Sequence, residues 1–272
     1  MEPYWNVVER IIKESDIVLE ILDARLISLT RNAEVERLIK EVKRPLIFVI
    51  NKSDLVSSEF LEEEIMKLKQ EEPDAEIVFL STKQKGGIKI LIQAIKKVFH
   101  KYGKHEKIIY TTKEKPREPI GHIIVGVLGY PNVGKSSIIN RLCYKKKVKV
   151  SRKPGTTHGQ HWINAGSGIR LIDSPGVIPL EREDEAKRTI ICAKSVDRVS
   201  NPGIVAEMII NMFKKNKNSF ENFYKIKMQD DNYETILELA RKRGFLLKHA
   251  VPDEDRASKL IIKDWQDGML RL

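Results

Sequence analysis

Residues 129–136, Gly-Tyr-Pro-Asn-Val-Gly-Lys-Ser, carry the spacing GxxxxGK[ST], a pattern whose chemistry is phosphate binding. Gly129 and Gly134 let backbone N–H groups, among them those of Asn132 and Val133, wrap an oligophosphate. Lys135 reaches its β and γ oxygens, Ser136 offers a hydroxyl to magnesium, and Ser137 follows in the same first helical turn, whose dipole favours an anion. This loop does not choose between adenine and guanine. Asn51-Lys52-Ser53-Asp54 does, because the Asp54 carboxylate is wide enough to accept both the N1–H and the 2-amino group of guanine. Adenine offers neither donor, a discrimination of about 2 to 4 kcal/mol. Asn51 is expected to tie this segment to the phosphate loop, and the Lys52 stem to cover the base. Ser81-Thr82-Lys83 supplies small residues where a backbone N–H meets the guanine O6. Asp173-Ser174-Pro175-Gly176 fits DxxG, with Asp173 holding a magnesium-bound water and the Gly176 N–H meeting the γ-phosphate. Between the two lies Pro154-Gly155-Thr156-Thr157. Thr157 is the expected magnesium ligand there, with Thr156 the alternative.

Elements of the right kind precede each motif. Trp5, Val8, Ile11 and Ile12 have helical spacing and lead into the apolar run 17–22, which ends at Asp23. A helix over 34–42 is stopped by Pro45, and a second strand, 46–50, delivers Asn51. A charged helix over 59–71 precedes strand 77–80, which ends at Ser81. Gly86-Gly87 opens a helix over 88–99, residues 102–119 read as an exposed linker, and strand 123–128 runs into the glycine loop and the helix 135–142. Residues 161–172 read as a hairpin around Gly166-Ser167-Gly168. Strands alternating with helices predict an α/β fold: a mostly parallel sheet covered on both faces, with ligands at the carboxyl ends of its strands. From about Glu183 onward only helical patterning is found, broken at Pro202-Gly203, 216–218 and Pro252. The expected organisation is a nucleotide domain over 1–180 and a small all-helical domain over 181–272.

The chain has 272 residues, 32% of them charged, and a formal net charge of +11, which predicts an anionic partner larger than a nucleotide, with RNA first. Lys242, Arg243, Lys248, Arg256 and Lys259 are candidate phosphate contacts in the tail. Cys143 and Cys192 have no metal-site spacing and fit a reducing cytoplasm. Residues 1–15 carry charge throughout, and no run reaches the roughly 18 apolar residues of a membrane span. A soluble protein with no membrane partner is expected.

The order of these motifs, with the guanine-reading segment before the phosphate loop, resembles the circularly permuted GTPases of the YlqF (RbgA) type. Asp23-Ala24-Arg25 with Arg31-Asn32, and Arg243-Gly244, Asp253, Arg256-Ala257 and 264–268 in the tail, extend the resemblance over nearly the whole chain. It implies GTP as substrate, GDP as product, magnesium, and a role in assembling the large ribosomal subunit through rRNA, with no DNA expected. It also implies that Asn132 helps hold a potassium ion against the phosphates, in the manner of an arginine finger. The N-terminus lacks the Gly-His-Met segment that carries the bacterial group's proposed catalytic histidine. Two other readings stand beside this one: a GTP-dependent protein acting on another RNA, and a GTP-gated scaffold without meaningful hydrolysis.

Val177 stands where many small GTPases have a water-orienting glutamine and can neither donate nor accept a hydrogen bond, so slow intrinsic hydrolysis is expected. Lys135, Thr157, Gly176 and Asn132 are the candidate catalytic set, and His158, Gln160 and His161 lie close enough in the chain to swing in with Thr157. The DxxG segment leads directly into the helical tail, so loss of the γ-phosphate is expected to be felt there.

Overall fold

The computed structural model describes residues 4–84, 86–103, 122–143, 161–173, 185–192 and 194–272. Helix α1 (Tyr4–Glu14) buries Val7, Val8, Ile11 and Ile12, one face at helical spacing, in a cluster with Val18, Ile124, Leu128 and Ile172. Strand β1 (Ile17–Asp23) is buried along its full length, as expected of a central parallel strand covered on both faces. The short helix α2 (Ile27–Thr30), which the sequence pattern does not announce, leads into α3 (Ala33–Glu41). Asn32 caps α3, its Oδ1 accepting from the Val35 N–H at 2.9 Å. Strand β2 (Leu46–Asn51), helix α4 (Ser58–Glu71), strand β3 (Glu76–Phe79) and helix α5 (Gly87–Tyr102) follow. Then come β4 (Ile123–Leu128), α6 (Lys135–Leu142), β5 (His161–Asn164) and β6 (Ile169–Asp173).

The six strands form one sheet in the order β3-β2-β1-β4-β6-β5. All neighbours pair in parallel except β5, which runs antiparallel to β6. The register puts Asp23 opposite Asn51 and Val127 opposite Asp173. The motif-bearing strand ends therefore share one edge of the sheet, where ligands of open α/β sheets bind. The α/β class read from the alternation of elements, with the phosphate-loop strand β4 placed after the strand that delivers Asn51 as the permuted motif order requires, is the fold that is found.

Two compact units divide the chain: Met1–Ser53 with Leu61–Pro179, and Asp54–Phe60 with Leu180–Leu272. The second contains α7 (Glu185–Ile190), α8 (Pro202–Met212), α9 (Lys217–Tyr224), α10 (Asn232–Arg243) and α11 (Glu254–Asp267). Pro202-Gly203, expected to break the chain, instead occupies the first turn of α8. Proline is tolerated there because its missing N–H would have no helical partner. Asp231 and Asp253 cap α10 and α11 through the amides of Tyr233 and Arg256. The core of this unit is aromatic: Phe213 packs on Phe220 and edge-on to Trp265, and Phe220 packs on Tyr224. The fully buried Trp265 donates its indole N–H to the Ile190 carbonyl at 2.9 Å. Among the described residues, no helix is long and apolar enough to cross a membrane.

Candidate nucleotide site

Strand β4 delivers Gly129 at its carboxyl end, and the loop 129–134 turns through left-handed backbone at Asn132 (φ 61°) and Gly134 (φ 106°) before α6 begins at Lys135. Gly134 has to be glycine on two counts. A side chain is strained at that φ, and a Cβ there would lie 2.1 Å from Asn51 Nδ2. That close approach is the tie between the two loops: Asn51 Nδ2 donates to the Val133 carbonyl at 2.8 Å. Asn51 is buried, and its Oδ1 has no hydrogen-bond partner among the described residues. Val133 is buried, whereas Asn132, Ser136 and Ser137 are half-buried. The N-cap of α6 is Gly134, which has no side chain to cap the helix, and first-turn amides of this kind suit an anion.

Lys135 is buried, and its ammonium donates to the carbonyls of Gly129 at 2.6 Å and Tyr130 at 2.7 Å. Burial pulls its pKa down to about 8, against the opposing influence of the Asp173 carboxylate. Asp173 is buried at the end of β6. A glycine cradle, the first-turn amides of α6 and a poorly solvated lysine influenced by the Asp173 carboxylate form a set that fits a magnesium-bound oligophosphate.

Lys52, at positive φ (63°), donates from Nζ to Asp23 Oδ2 at 2.7 Å. Asp23 is also held by Arg25, through Nε to Oδ1 at 3.1 Å and Nη2 to Oδ2 at 2.9 Å. Burial by itself would push the Asp23 carboxyl up, but the Arg25 guanidinium and then the Lys52 ammonium outweigh it and hold it well below the usual carboxylate range. Reading the sequence as motifs gave Asp23 and Arg25 no role beyond a family resemblance. The available signal was an ionisable residue ending a fully apolar strand at the sheet edge that carries the other motifs.

With its folded pKa depressed, Asp23 contributes stability at pH values above the ordinary carboxylate range, and this is lost as pH falls through the depressed value. Asp23→Ala leaves Arg25 buried without its carboxylate, with an expected loss of about 3 to 5 kcal/mol in denaturant unfolding at neutral pH. A loss under about 1 kcal/mol would mean that the Asp23–Arg25 pair is not a structural support.

Ser81 is buried, its Oγ accepts from the Lys83 N–H at 3.1 Å, and Thr82 and Lys83 become progressively more exposed. Arg141 on α6 donates from Nε to the Thr82 carbonyl at 3.0 Å, so the helix that follows the phosphate loop also holds the loop after β3. Asp54 is half-buried in a 3-10 turn over Ser53–Leu55 and belongs to the second compact unit. Thr156, Thr157, His158, Gln160 and 174–177, with Gly176 and Val177 among them, lie outside the described residues, as do linker positions 104–119. His161 starts β5, its backbone opposite Asp173. In the helical unit Lys242, Arg243, Lys248 and Arg256 are exposed, Arg256 lying over the Phe245 ring, while Lys259 pairs with Asp255.

Residues 124–246 match a family model described as 50S ribosome-binding GTPase. An uncharacterized GTP-binding protein of Methanocaldococcus jannaschii is 37% identical over 98% of this chain and 66% of its own length. Nucleolar GTP-binding protein 2 of Saccharomyces cerevisiae is 33% identical over 98% of this chain and 52% of its own. Nuclear/nucleolar GTPase 2 of Arabidopsis thaliana is 32% identical over 98% and 43%. The chain thus spans between 43% and 66% of the length of these relatives. Among solved structures, GDP-bound YlqF of Thermotoga maritima superposes with a TM-score of 0.60 at 20% identity, covering 97% of this chain and 96% of that one. The GNP-bound form does so with the same score at 19% identity, covering 98% and 94%.

Proposed function

We propose that this chain, which shares the fold of the circularly permuted GTPase YlqF and is similar to GTP-binding proteins over 98% of its length, binds GTP, hydrolyses it to GDP and phosphate, and acts as a nucleotide switch in assembling the large ribosomal subunit. The observation that carries the reading is the bond from Asn51 to the Val133 carbonyl. It joins the guanine-type segment to a phosphate loop that follows it in the chain, so the permuted order of motifs serves one site.

In this reading Asn51, Lys52, Asp54, Ser81, Thr82 and Lys83 serve the base. Asn132, Val133, Gly134, Lys135, Ser136 and Ser137 hold the phosphates, and Asp173, Thr157 and Gly176 face the γ-phosphate end. Magnesium, held by Ser136, Thr157 and Asp173, would screen the charge on the phosphate oxygens, and Asn132 would help hold a potassium ion there. What these side chains do themselves is position: Lys135 places a cation on the β and γ oxygens and Asn51 keeps the base loop against the phosphate loop. Val177 leaves the attacking water without a side-chain partner at that position, so intrinsic turnover is slow and the ribosomal particle supplies what is missing. The +11 charge and the exposed Lys242, Arg243, Lys248 and Arg256 support rRNA as the surface contacted. A reducing cytoplasm suits the two buried cysteines, Cys143 and Cys192.

The test is the GTP hydrolysis rate of the purified protein in potassium and in sodium buffers, with and without purified large ribosomal subunits. Slow turnover alone, strong stimulation by subunits and a higher rate in potassium are expected. Intact GTP binding with no stimulation would shift the function to another RNA or to a scaffold that does not hydrolyse.

A further inference from the structure

Helix α11 ends at Gly268, which takes the left-handed conformation (φ 70°), and the amides of Gly268 and Met269 close the helix onto the carbonyls of Trp265 and Asp264. The chain then returns to residues 55–57. The Leu272 amide donates to the Leu55 carbonyl at 2.9 Å, and the Ser57 amide donates to the Leu272 carbonyl at 2.8 Å. Ser219 on α9 fixes the same segment by donating its hydroxyl to the Arg271 carbonyl. Leu270, Leu272 and Leu55 are all buried, and a Cβ on Gly268 would meet Leu55 Cδ1 at 3.1 Å.

Leu55 directly follows Asp54 in the chain. On the other side of Asp54, the Ser53 amide donates to the Leu80 carbonyl at 3.2 Å. After Asp54, the backbone bonds on Leu55 and Ser57 come from Leu272, and Ser57 then caps α4 through the Phe60 amide at 3.2 Å. Asp54 thus lies in a turn whose far side is held by residues more than two hundred positions away in sequence, all within one compact unit.

We infer that residues 268–272 are a positioning strap for the guanine-reading loop: they fix Leu55 and Ser57 so that the Asp54 carboxylate is presented at the angle the base requires. This rests on the guanine role proposed for Asp54. A carboxylate that must accept two parallel donors tolerates little misplacement, so the 2-amino group of guanine is the contact most sensitive to a loosened strap.

The test compares GDP with inosine diphosphate, which keeps the phosphates, ribose and N1–H but lacks the 2-amino group, by titration against the full chain. Leu272→Pro removes the amide that holds Leu55. Gly268→Ala places a methyl against Leu55 in a strained backbone, and Ser219→Ala releases Arg271 without altering the strap itself. Unfolding curves of each variant accompany the titrations, and Ser219→Ala carries the comparison if the other two do not fold. The expected result is a fall of about tenfold in GDP affinity for a strap variant, with inosine diphosphate affinity changed far less. The GDP preference then collapses toward one. GDP and inosine diphosphate affinities that fall together, or a GDP preference unchanged in folded variants, would overturn the strap as a positioning element and leave it a purely structural tether. Wild-type protein that binds GDP no better than inosine diphosphate would instead overturn the guanine role of Asp54, and the strap's role with it.

Discussion

Lys135→Ala is expected to lower the affinity for both GDP and GTP by about 100-fold or more, while the protein stays folded and melts no earlier than wild type. The two halves of this result have one cause. The ammonium is buried and donates to the neutral carbonyls of Gly129 and Tyr130, and burial lowers its pKa to about 8. Its presence therefore costs stability until an anion arrives, and phosphate oxygens replace two neutral acceptors with charged ones, worth roughly 3 kcal/mol. The same balance fixes a pH dependence. Bound phosphates favour the protonated lysine, so the complex holds a proton that the free protein gives up above about pH 8. Nucleotide affinity should fall as pH rises past that point and be flat below it as far as this lysine is concerned, and in Lys135→Ala the fall should vanish. Equilibrium titration with a fluorescent guanine nucleotide from pH 7 to 9.5, beside thermal unfolding, measures both. Wild-type affinity in the variant would place the phosphates elsewhere.

The residues that the sequence made legible are those whose chemistry is local. Gly129 to Ser136 form a strand-to-helix loop written in eight consecutive residues, and Asn51 and Asp173 end apolar runs, so their place at the sheet edge follows from alternation of strand and helix. The permuted order was equally readable, because order is all that permutation changes. Three features were not readable, for a common reason. The Asp23–Arg25–Lys52 cluster depends on the parallel register of β1 and β2, which brings Asp23 beside Asn51. The short helix Ile27–Thr30 is too brief to show a period. The grouping of Asp54–Phe60 with the helical residues includes the backbone bonds of the buried Leu272 to Leu55 and Ser57, a single leucine with no motif around it. Spacing along the chain carries no information about which distant backbone an apolar residue will cover.

Asp54→Asn should exchange one base for another. The aspartate accepts from both the N1–H and the 2-amino group of guanine, so an asparagine presents a donor to the 2-amino group, and a repulsive contact replaces a charge-assisted one. A loss of roughly 30- to 1000-fold in GDP affinity is expected, corresponding to the 2 to 4 kcal/mol of such a pair. Xanthine carries a carbonyl where guanine carries that amine and retains N1–H. The asparagine amide can donate to the carbonyl and accept from N1–H, so the variant should take up xanthosine diphosphate, which the wild type excludes by opposing two acceptors. Because phosphate binding through Lys135 and the Asn51–Val133 tie is untouched by this change, recovery with xanthosine diphosphate separates loss of base reading from loss of the site. A folded variant that loses GDP and gains nothing for xanthosine diphosphate would show that Asp54 does not face the base edge, and guanine selection would then have to come from the backbone around Ser81 to Lys83.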